Sequence, residues 1–329
     1  PILDLPTDRP RPAEQTFNGA SLLHMLPVEL NQQLHELAGQ QSITLYMVAL
    51  AAFDILLARY AGTDEVVVGS PIAGRRLSEL EGLIGFFSNT LAIPGNLAGD
   101  PSFVELIQRT RTATLGAYDH QDLPFEKLVE ELQPERDMSH TPVFQHMFIW
   151  QDSSNTRLSL AGLETEPAVL ISHDTAKFDL TMALTNTAGG IEAGFEYNTD
   201  LFDASTIERM LGHFETLLRA VVANPQAKLS ELPLLDEAEK QIVVADFNAS
   251  DADFDNVCVH RLVEAQVAKS PDAIAVALNE NNLTYAELNR RANVLANKLR
   301  SQGAGSGSIV AISLERSLEL PVAALAVLK

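Results

Sequence analysis

An α/β fold is what this 329-residue sequence predicts, and three observations carry the prediction. Segments with helical spacing and segments with strand character interleave along the chain. Lys177 to Thr187 and Ile191 to Tyr197 flank Gly189-Gly190 and read as the two arms of a hairpin. Beyond Val257 helix and strand alternate, the pattern of an α/β unit.

The elements follow in order. Pro1 to Pro12 is rich in proline and charge, and reads as a linker that cannot pack regularly. Asn18 to Leu26 is a short strand. Pro27 opens a helix through Leu30, Leu34 and Leu37, with Gly39 as its stop. Thr44 caps a more apolar helix running to Tyr60, buried on several sides. Glu65 to Gly69 is a buried strand. Asp100-Pro101 starts a helix towards Tyr118. Val143 to Trp150 is a strand rich in aromatic and β-branched residues. After the hairpin, Ile207, Met210, Leu211, Phe214, Leu217, Leu218 and Val221 hold one helical face, with Ser205 and Glu208 as its capping box.

The composition then shifts. Residues 236–256 carry an acidic helix and the polar run Asn248 to Asp253, the expected interdomain linker. It separates a first domain, 1–235, from a second, 257–329. The second reads as helix (Val259 to Lys269), strand (Ala273 to Leu278), helix (Thr284 to Gln302), strand (Ile309 to Leu314) and helix (Ser317 to Leu328).

Composition excludes several function classes. Hydrophobic content of 46% and charged content of 20% are those of a globular chain. A formal net charge of −21 lacks the basic footprint that nucleic acid requires. No run of about 18 apolar residues is long enough to span a membrane. One cysteine, Cys258, excludes an internal disulfide framework and fits a reducing cytosol. The eight histidines are scattered without metal-site spacing. His173-Asp174 is a poor acid/base pair, because neighbours on a strand point to opposite faces.

Three motifs stand out. In His120-Gln121-Asp122-Leu123-Pro124-Phe125-Glu126, Asp122 is placed to cap a helix whose buried face is Phe125 and Leu128. Arg136-Asp137 with Ser139 and Pro142 forms a loop in which Arg136 can pair with a carboxylate; this structural role is favoured over substrate contact. In Gly82 to Leu91, Gly85 lets the backbone bend, and Asn89 can pin a loop or meet an amide-like substrate. Upstream, Gly69 to Arg76 is a loop bearing Arg75 and Arg76. It reads as solvated, with a phosphate or an acidic carrier as the other possible partner.

In this order the motifs resemble the condensation domains of non-ribosomal peptide synthetases, and Glu196 to Asp203 before a long helix is typical of them. The second part, with Leu283-Thr284-Tyr285-Ala286-Glu287-Leu288 opening a capped helix, resembles the start of an amino-acid adenylation domain. The resemblance implies a chloramphenicol-acetyltransferase-like half-domain, a mixed sheet with packed helices, followed by a partial α/β adenylation subdomain. It implies that Gly85, Phe86, Asn89, Arg75 and Arg76 lie along a substrate tunnel. Both chain ends are expected to be cuts.

The implied parent reaction is peptide-bond formation between aminoacyl or peptidyl thioesters on carrier (thiolation) domains. Phosphopantetheine on those carriers and Mg-ATP in the adenylation domain are the implied cofactors of the parent, with none bound by this fragment. Its partners would be the carriers and the rest of the synthetase, with no nucleic acid and no membrane. An epimerization or stand-alone acyltransferase domain of the same fold, or a non-catalytic module that docks carriers, are the alternatives.

The His-His-x-x-x-Asp-Gly of condensation domains does not occur in these residues, nor does the Ser/Thr/Gly-rich ATP loop of adenylation domains. This polypeptide by itself is therefore expected to form no peptide bond and to activate no amino acid. Incubation with loaded carriers, and amino-acid-dependent pyrophosphate exchange, test this. Turnover above a no-protein control in either assay refutes it.

Overall fold

The apolar run from Leu45 to Leu57 has no polar face to show to water, so it must be buried on every side. In the computed structural model, which describes residues 2–134, 137–152, 174–187, 189–252 and 256–329, every residue from Met47 to Ala58 is buried. The chain divides into two units, Pro1–Asn248 and Ala249–Lys329.

The first unit is a six-stranded mixed sheet covered by helices. In chain order its elements are β1 (Gly19–Met25), α1 (Val28–Gln41), α2 (Leu45–Ala61), β2 (Glu65–Ile72), α3 (Ser78–Glu81), β3 (Asn89–Asn96), α4 (Phe103–Asp119), α5 (Phe125–Leu132), β4 (His146–Asp152), β5 (Leu180–Thr187), β6 (Gly190–Asn198), α6 (Ala204–Ala223) and α7 (Glu237–Val244). The strand order is β1-β6-β5-β4-β2-β3. β2, β4 and β5 run parallel, and β1, β3 and β6 join antiparallel. The buried strand residues Val68, Phe148, Met182 and Phe195 meet Phe53 of α2 and the Ile207–Val221 face of α6 in one core. Phe53 stacks on Phe148 at 5.8 Å.

Tyr60 on α2, His213 on α6 and Glu239 on α7 form a chain of hydrogen bonds of 2.7 and 2.8 Å. Burial pushes the Tyr60 hydroxyl up to about 12, so it stays protonated and donates to Nδ1. Nε2–H is then left to donate to Glu239, which pins α7 to the unit.

Several expectations need correction. The segment before Pro12 is no free linker. Leu3 and Leu5 are buried, and Leu3 N donates to Gln145 at 2.9 Å. Arg11 grips Asp179 with two bonds, of 3.0 and 2.5 Å. Its proline-rich backbone is extended, so alternate residues reach one face, and the sequence pattern does not say which carboxylates wait there. α1 runs through Gly39 and ends at Gln41; Ser42, at φ 54, takes the left-handed closing position. The α4 cap is Ser102, in a full capping box with Glu105, while Asp100 accepts from Ser230 N and Oγ at 2.8 and 2.7 Å. At α6 the Ser205–Glu208 box does not form. Asp203 is the cap residue, without a side-chain cap bond, and Asp8 accepts from its N–H at 2.8 Å and from the Thr206 hydroxyl at 3.0 Å. A carboxylate there also meets the positive end of the helix dipole.

The second unit holds α8 (Val259–Lys269), β7 (Ile274–Leu278), β8 (Asn281–Thr284), α9 (Tyr285–Ser301) and α10 (Glu319–Leu328). Leu283, Leu288, Ala292 and Ala296 pack on Val322, Leu325 and Ala326. The strand expected at Ile309 to Leu314 is absent, and Ile309, Ile312 and Leu314 are exposed. A strand needs a neighbour to pair its backbone. The sheet of this unit, among the described residues, is the hairpin β7–β8 alone.

One buried group gives the first unit a pH-dependent stability. His146 on β4 is 1% exposed, and neither ring nitrogen has a hydrogen-bond partner. Burial pushes its pKa down to about 4; the nearby Asp179 opposes this and Arg11 adds to it. The unfolded chain binds a proton near pH 6.5 that the folded chain refuses, so stability is lost as pH falls from about 6.5 towards 4, by about 3 kcal/mol. Thermal melts of wild type and His146→Leu across this range should diverge, with the wild type falling further. Parallel curves would show that His146 does not titrate as described.

Candidate functional site

β2 and β4 pair at only two positions, Val68 with His146 and Gly69 with Met147. Beyond them the strands separate, as β2 continues along β3 to Ile72 and β4 along β5 to Asp152. The pairing is close where it exists: an added Cβ on Gly69 would stand 2.2 Å from the Phe144 ring. Above it a pocket of about 380 Å³ opens at the carboxyl ends of these parallel strands. Ser70 and Pro71 of β2 and Trp150 of β4 form two sides; the first turn of α2, with Thr44 to Met47, and Tyr118 of α4 complete it. Tyr46 OH donates to Ser70 Oγ at 2.9 Å and its ring meets Phe148 edge-on at 5.4 Å. Crevices of this kind, at the carboxyl ends of parallel strands that part company, are where open α/β sheets bind ligands.

The loop that leaves the pocket, 73–88, is tied at both ends by the Ile72–Asn89 pairing. Gly74 has φ +64, and a Cβ there would lie 1.9 Å from the Phe87 carbonyl oxygen, so this position requires glycine. Gly85 has no such requirement; an added Cβ would meet only the Phe87 ring, at 3.1 Å. Arg75 lies 4.3 Å over the Phe87 ring and donates to the carbonyls of Leu80 and, at 3.4 Å, Gly85. Arg76 pairs with Asp122 at 2.9 Å on the surface. Phe86 is 92% exposed.

Asn89, half-buried, uses both ends of its amide. Nδ2 donates to the carbonyls of Gln121 (3.0 Å) and Leu123 (2.8 Å), and Oδ1 accepts from Thr90 N (2.9 Å) and Phe125 N (3.1 Å). It thus clasps the 121–125 turn and caps α5. Asp122 does not cap that helix; Pro124 stands at the cap position and Asp122 turns to Arg76. His120 Nδ1 meets Gly116 O at 2.9 Å, Gln121 donates to Tyr118 O at 2.8 Å, and Glu126 is exposed in the first turn. Phe125 packs on Phe144 at 5.3 Å.

Arg136 lies outside the described residues, as does His173. Asp137 accepts from Ser139 N at 2.8 Å, which holds its carboxyl below the usual range. The Pro142 carbonyl accepts from Phe144 N at 2.9 Å across Val143, whose φ is 72. This tight turn is strained for a β-branched residue, and it delivers the Phe144 ring to Gly69. The described histidines of this unit are engaged away from the pocket: His24 with Glu215, His35 with Asn31 O, His120 with Gly116 O, His140 with Ser139 and His213 as above, while His146 is buried without a partner. Among the described residues no group of three or more His, Cys, Asp or Glu could hold a metal ion.

Sequence reasoning missed the pocket residues Tyr46, Tyr118 and Trp150, while Ser70 lies in the Gly69 to Arg76 segment that it singled out. Three elements contribute the missed residues, and the one signal for them in the sequence was the solitary tryptophan.

In the second unit, Leu283 and Leu288 are buried and Tyr285 N donates to Ala273 O at 3.0 Å. Thr284 caps α9 by accepting from Glu287 N at 3.2 Å. The box is half made, because the Glu287 carboxylate turns to Arg290 and Arg291, which hold its pKa down at about 2.

The Asn89 clasp is directly testable. Asn89→Ala removes four hydrogen bonds and should cost about 1–3 kcal/mol, read as a lower melting temperature with early loss of amide protection at Leu123 to Phe125. Unchanged melting and protection would show that the clasp carries no weight.

Comparison with known proteins places this geometry. Residues 1–244 match the Condensation domain family and residues 263–329 the AMP-binding enzyme family. The whole chain is 44% identical to a stretch of a linear gramicidin synthase from Brevibacillus parabrevis, and 43% identical to a stretch of malpinin synthetase from Mortierella alpina. It spans only 6% and 4% of their lengths. A four-domain nonribosomal peptide synthetase bound to AMP and glycine superposes with a TM-score of 0.77 at 26% identity, over 98% of this chain and 26% of that one. The X-domain from teicoplanin biosynthesis covers 70% of this chain and 53% of its own, with a TM-score of 0.65 at 28% identity. The six-stranded mixed sheet with its packed helices is thus a condensation-domain fold, and the chain belongs to the condensation-domain family of non-ribosomal peptide synthetases, leading into the start of an AMP-binding adenylation domain.

Proposed function

We propose that residues 1–235 are the C-terminal half of a condensation domain, 236–256 its linker, and 257–329 the first part of an adenylation domain. The carrying observation is the order of the two family matches on one chain, along relatives at 44% identity. The X-domain likeness, which takes in about half of that chain, supports the half-domain reading.

In this reading the parent synthetase joins two carrier-bound groups. The amine of one aminoacyl thioester attacks the thioester carbonyl of the other; a C–N bond forms, the C–S bond breaks, and the thiol leaves with the proton lost by nitrogen. Aligning two tethered reactants supplies much of the acceleration. The first unit contributes one wall of the reaction site: the pocket between β2 and β4, and the loop 73–88. Arg75, Arg76 and Asn89 build and hold that wall through the bonds described, and Gly85 and Phe86 lie on its exposed rim. Residues 121–125 are tied to it through Arg76 and Asn89.

Phosphopantetheine belongs to the carriers in this reading, and ATP to the complete adenylation domain. In the second unit Arg261, Arg290, Arg291 and Lys329 are each engaged by Glu264, Glu287 or Glu319, so the charge of these four is already answered by carboxylates.

The second reading is a docking module without catalysis, favoured by the structure of an X-domain in complex with OxyB. The identity is 28% there against 44% to the gramicidin synthase. The test uses the full-length synthetase with donor and acceptor carriers loaded with amino acids. A dipeptidyl thioester on the acceptor, seen by intact-protein mass spectrometry, is the expected result. Carriers that are retained but unchanged would favour docking.

A further inference from the structure

The crevice between β2 and β4 is more than a wall. We propose that it is a side-chain pocket for one of the two aminoacyl thioesters, that it takes an apolar side chain, and that Tyr46, Tyr118 and Trp150 set its size limit. The inference rests on the condensation reading and names its substrate class.

Four observations carry it. The first is position: the pocket opens where two parallel strands stop pairing, beside Ser70 and Pro71, at the head of the loop that borders the site. The second is size. About 380 Å³ lies at the low end of the ~300–1,000 Å³ of small-molecule sites; it has room for one side chain and part of its thioester arm. The third is the lining. Among the described residues no charged side chain borders it, so a carboxylate or ammonium would lose its hydration without a partner. Three aromatic faces instead offer apolar area at little entropic cost.

The fourth is the polar pair at one side. Burial pushes the Tyr46 hydroxyl up, and it keeps its proton to donate to Ser70 Oγ. Ser70 is 4% exposed, and its own hydroxyl proton has no acceptor among the described residues. A hydroxyl donor beside three aromatic faces suits a carbonyl oxygen, and the substrate's thioester or amide provides one; the Tyr118 hydroxyl and the Trp150 indole N–H line the same pocket. The side chain then lies against the rings, with the carbonyl turned towards Ser70.

Trp150 is the one tryptophan in the chain, so its fluorescence reports directly on the pocket. The full chain is titrated with stable amide analogues of aminoacyl-pantetheine carrying phenylalanine, leucine, glycine or aspartate. The phenylalanine and leucine analogues should shift the emission and bind about tenfold or more tighter than the other two. Leu45→Phe, which fills the pocket, should abolish the preference for phenylalanine, and Ser70→Ala should weaken all four analogues alike, both variants keeping the wild-type circular dichroism. No emission change, equal binding of all four, or a preference untouched by Leu45→Phe overturns the proposal. The loaded-carrier assay on the full-length synthetase separates the two claims. Amide formation without discrimination in the titration sinks the pocket and leaves the condensation reading standing. Discrimination without amide formation upholds the pocket and sinks that reading.

Discussion

Helix α2 has no face that tolerates water, and the first unit is arranged around that fact. The sheet must cover one side of it, and α1, α4 and α6 pack around the rest in the same core. Burying a helix completely leaves only its ends free to meet polar groups. The pocket therefore sits at its N-terminus, and the Tyr60–His213–Glu239 chain lies at its other end. The one polar side chain within the buried run, Asp54, shows the cost of this design. Its Oδ1 has no partner, and burial pushes the carboxyl well above the usual carboxylate range. Gly95 makes the room: a Cβ there would stand 2.7 Å from Asp54 Oδ2 and 2.6 Å from Val66. A neutral acid is what such a site can hold, since an unpaired charge would cost several kcal/mol.

The helical and strand periodicities of this sequence were legible because they are local. Thr44 caps α2 as read, α8 covers Val259–Lys269 as read, and the hairpin about Gly189-Gly190 and the apolar face of α6 stand where their spacing put them. What failed most visibly were caps whose partner is remote. Asp122 and Ser205–Glu208 are reasonable local caps, yet α5 is capped by Asn89, 36 residues upstream, and α6 is served by Asp8, 195 residues upstream. Residue types that cap are easy to find in sequence; which orphan N–H they face is a property of the fold. The strand expected at Ile309 failed for the same reason, because strands are defined by neighbours.

The candidate site divides along the same line. Two of the motif residues that attract attention in sequence have fixed backbone work, Asn89 clasping a turn and Arg75 spanning its own loop, while Gly74, which must avoid the Phe87 carbonyl, drew none. Of the pocket residues, Ser70 and Pro71 alone fall in a segment with a motif. Tyr46 and Trp150 sit on separate elements, and nothing in their local sequence announces that β2 and β4 will part between them. A motif here marks where the chain is held, and the space for a ligand lies beside it.

The proline-rich start of the chain is tied to that space. Taken as composition it is a linker, but many of its residues are committed. Leu3 and Leu5 are buried, Asp8 accepts from the first turn of α6, and Arg11 chelates Asp179 just before β5. Arg11 also donates to Ser139 O at 3.3 Å, so the same guanidinium reaches the loop that leads through Val143 to Phe144. Phe144 fills the space over Gly69, the last residue at which β2 and β4 still pair. The N-terminal segment, the strained turn at Val143 and the mouth of the pocket are therefore linked through contiguous packed groups.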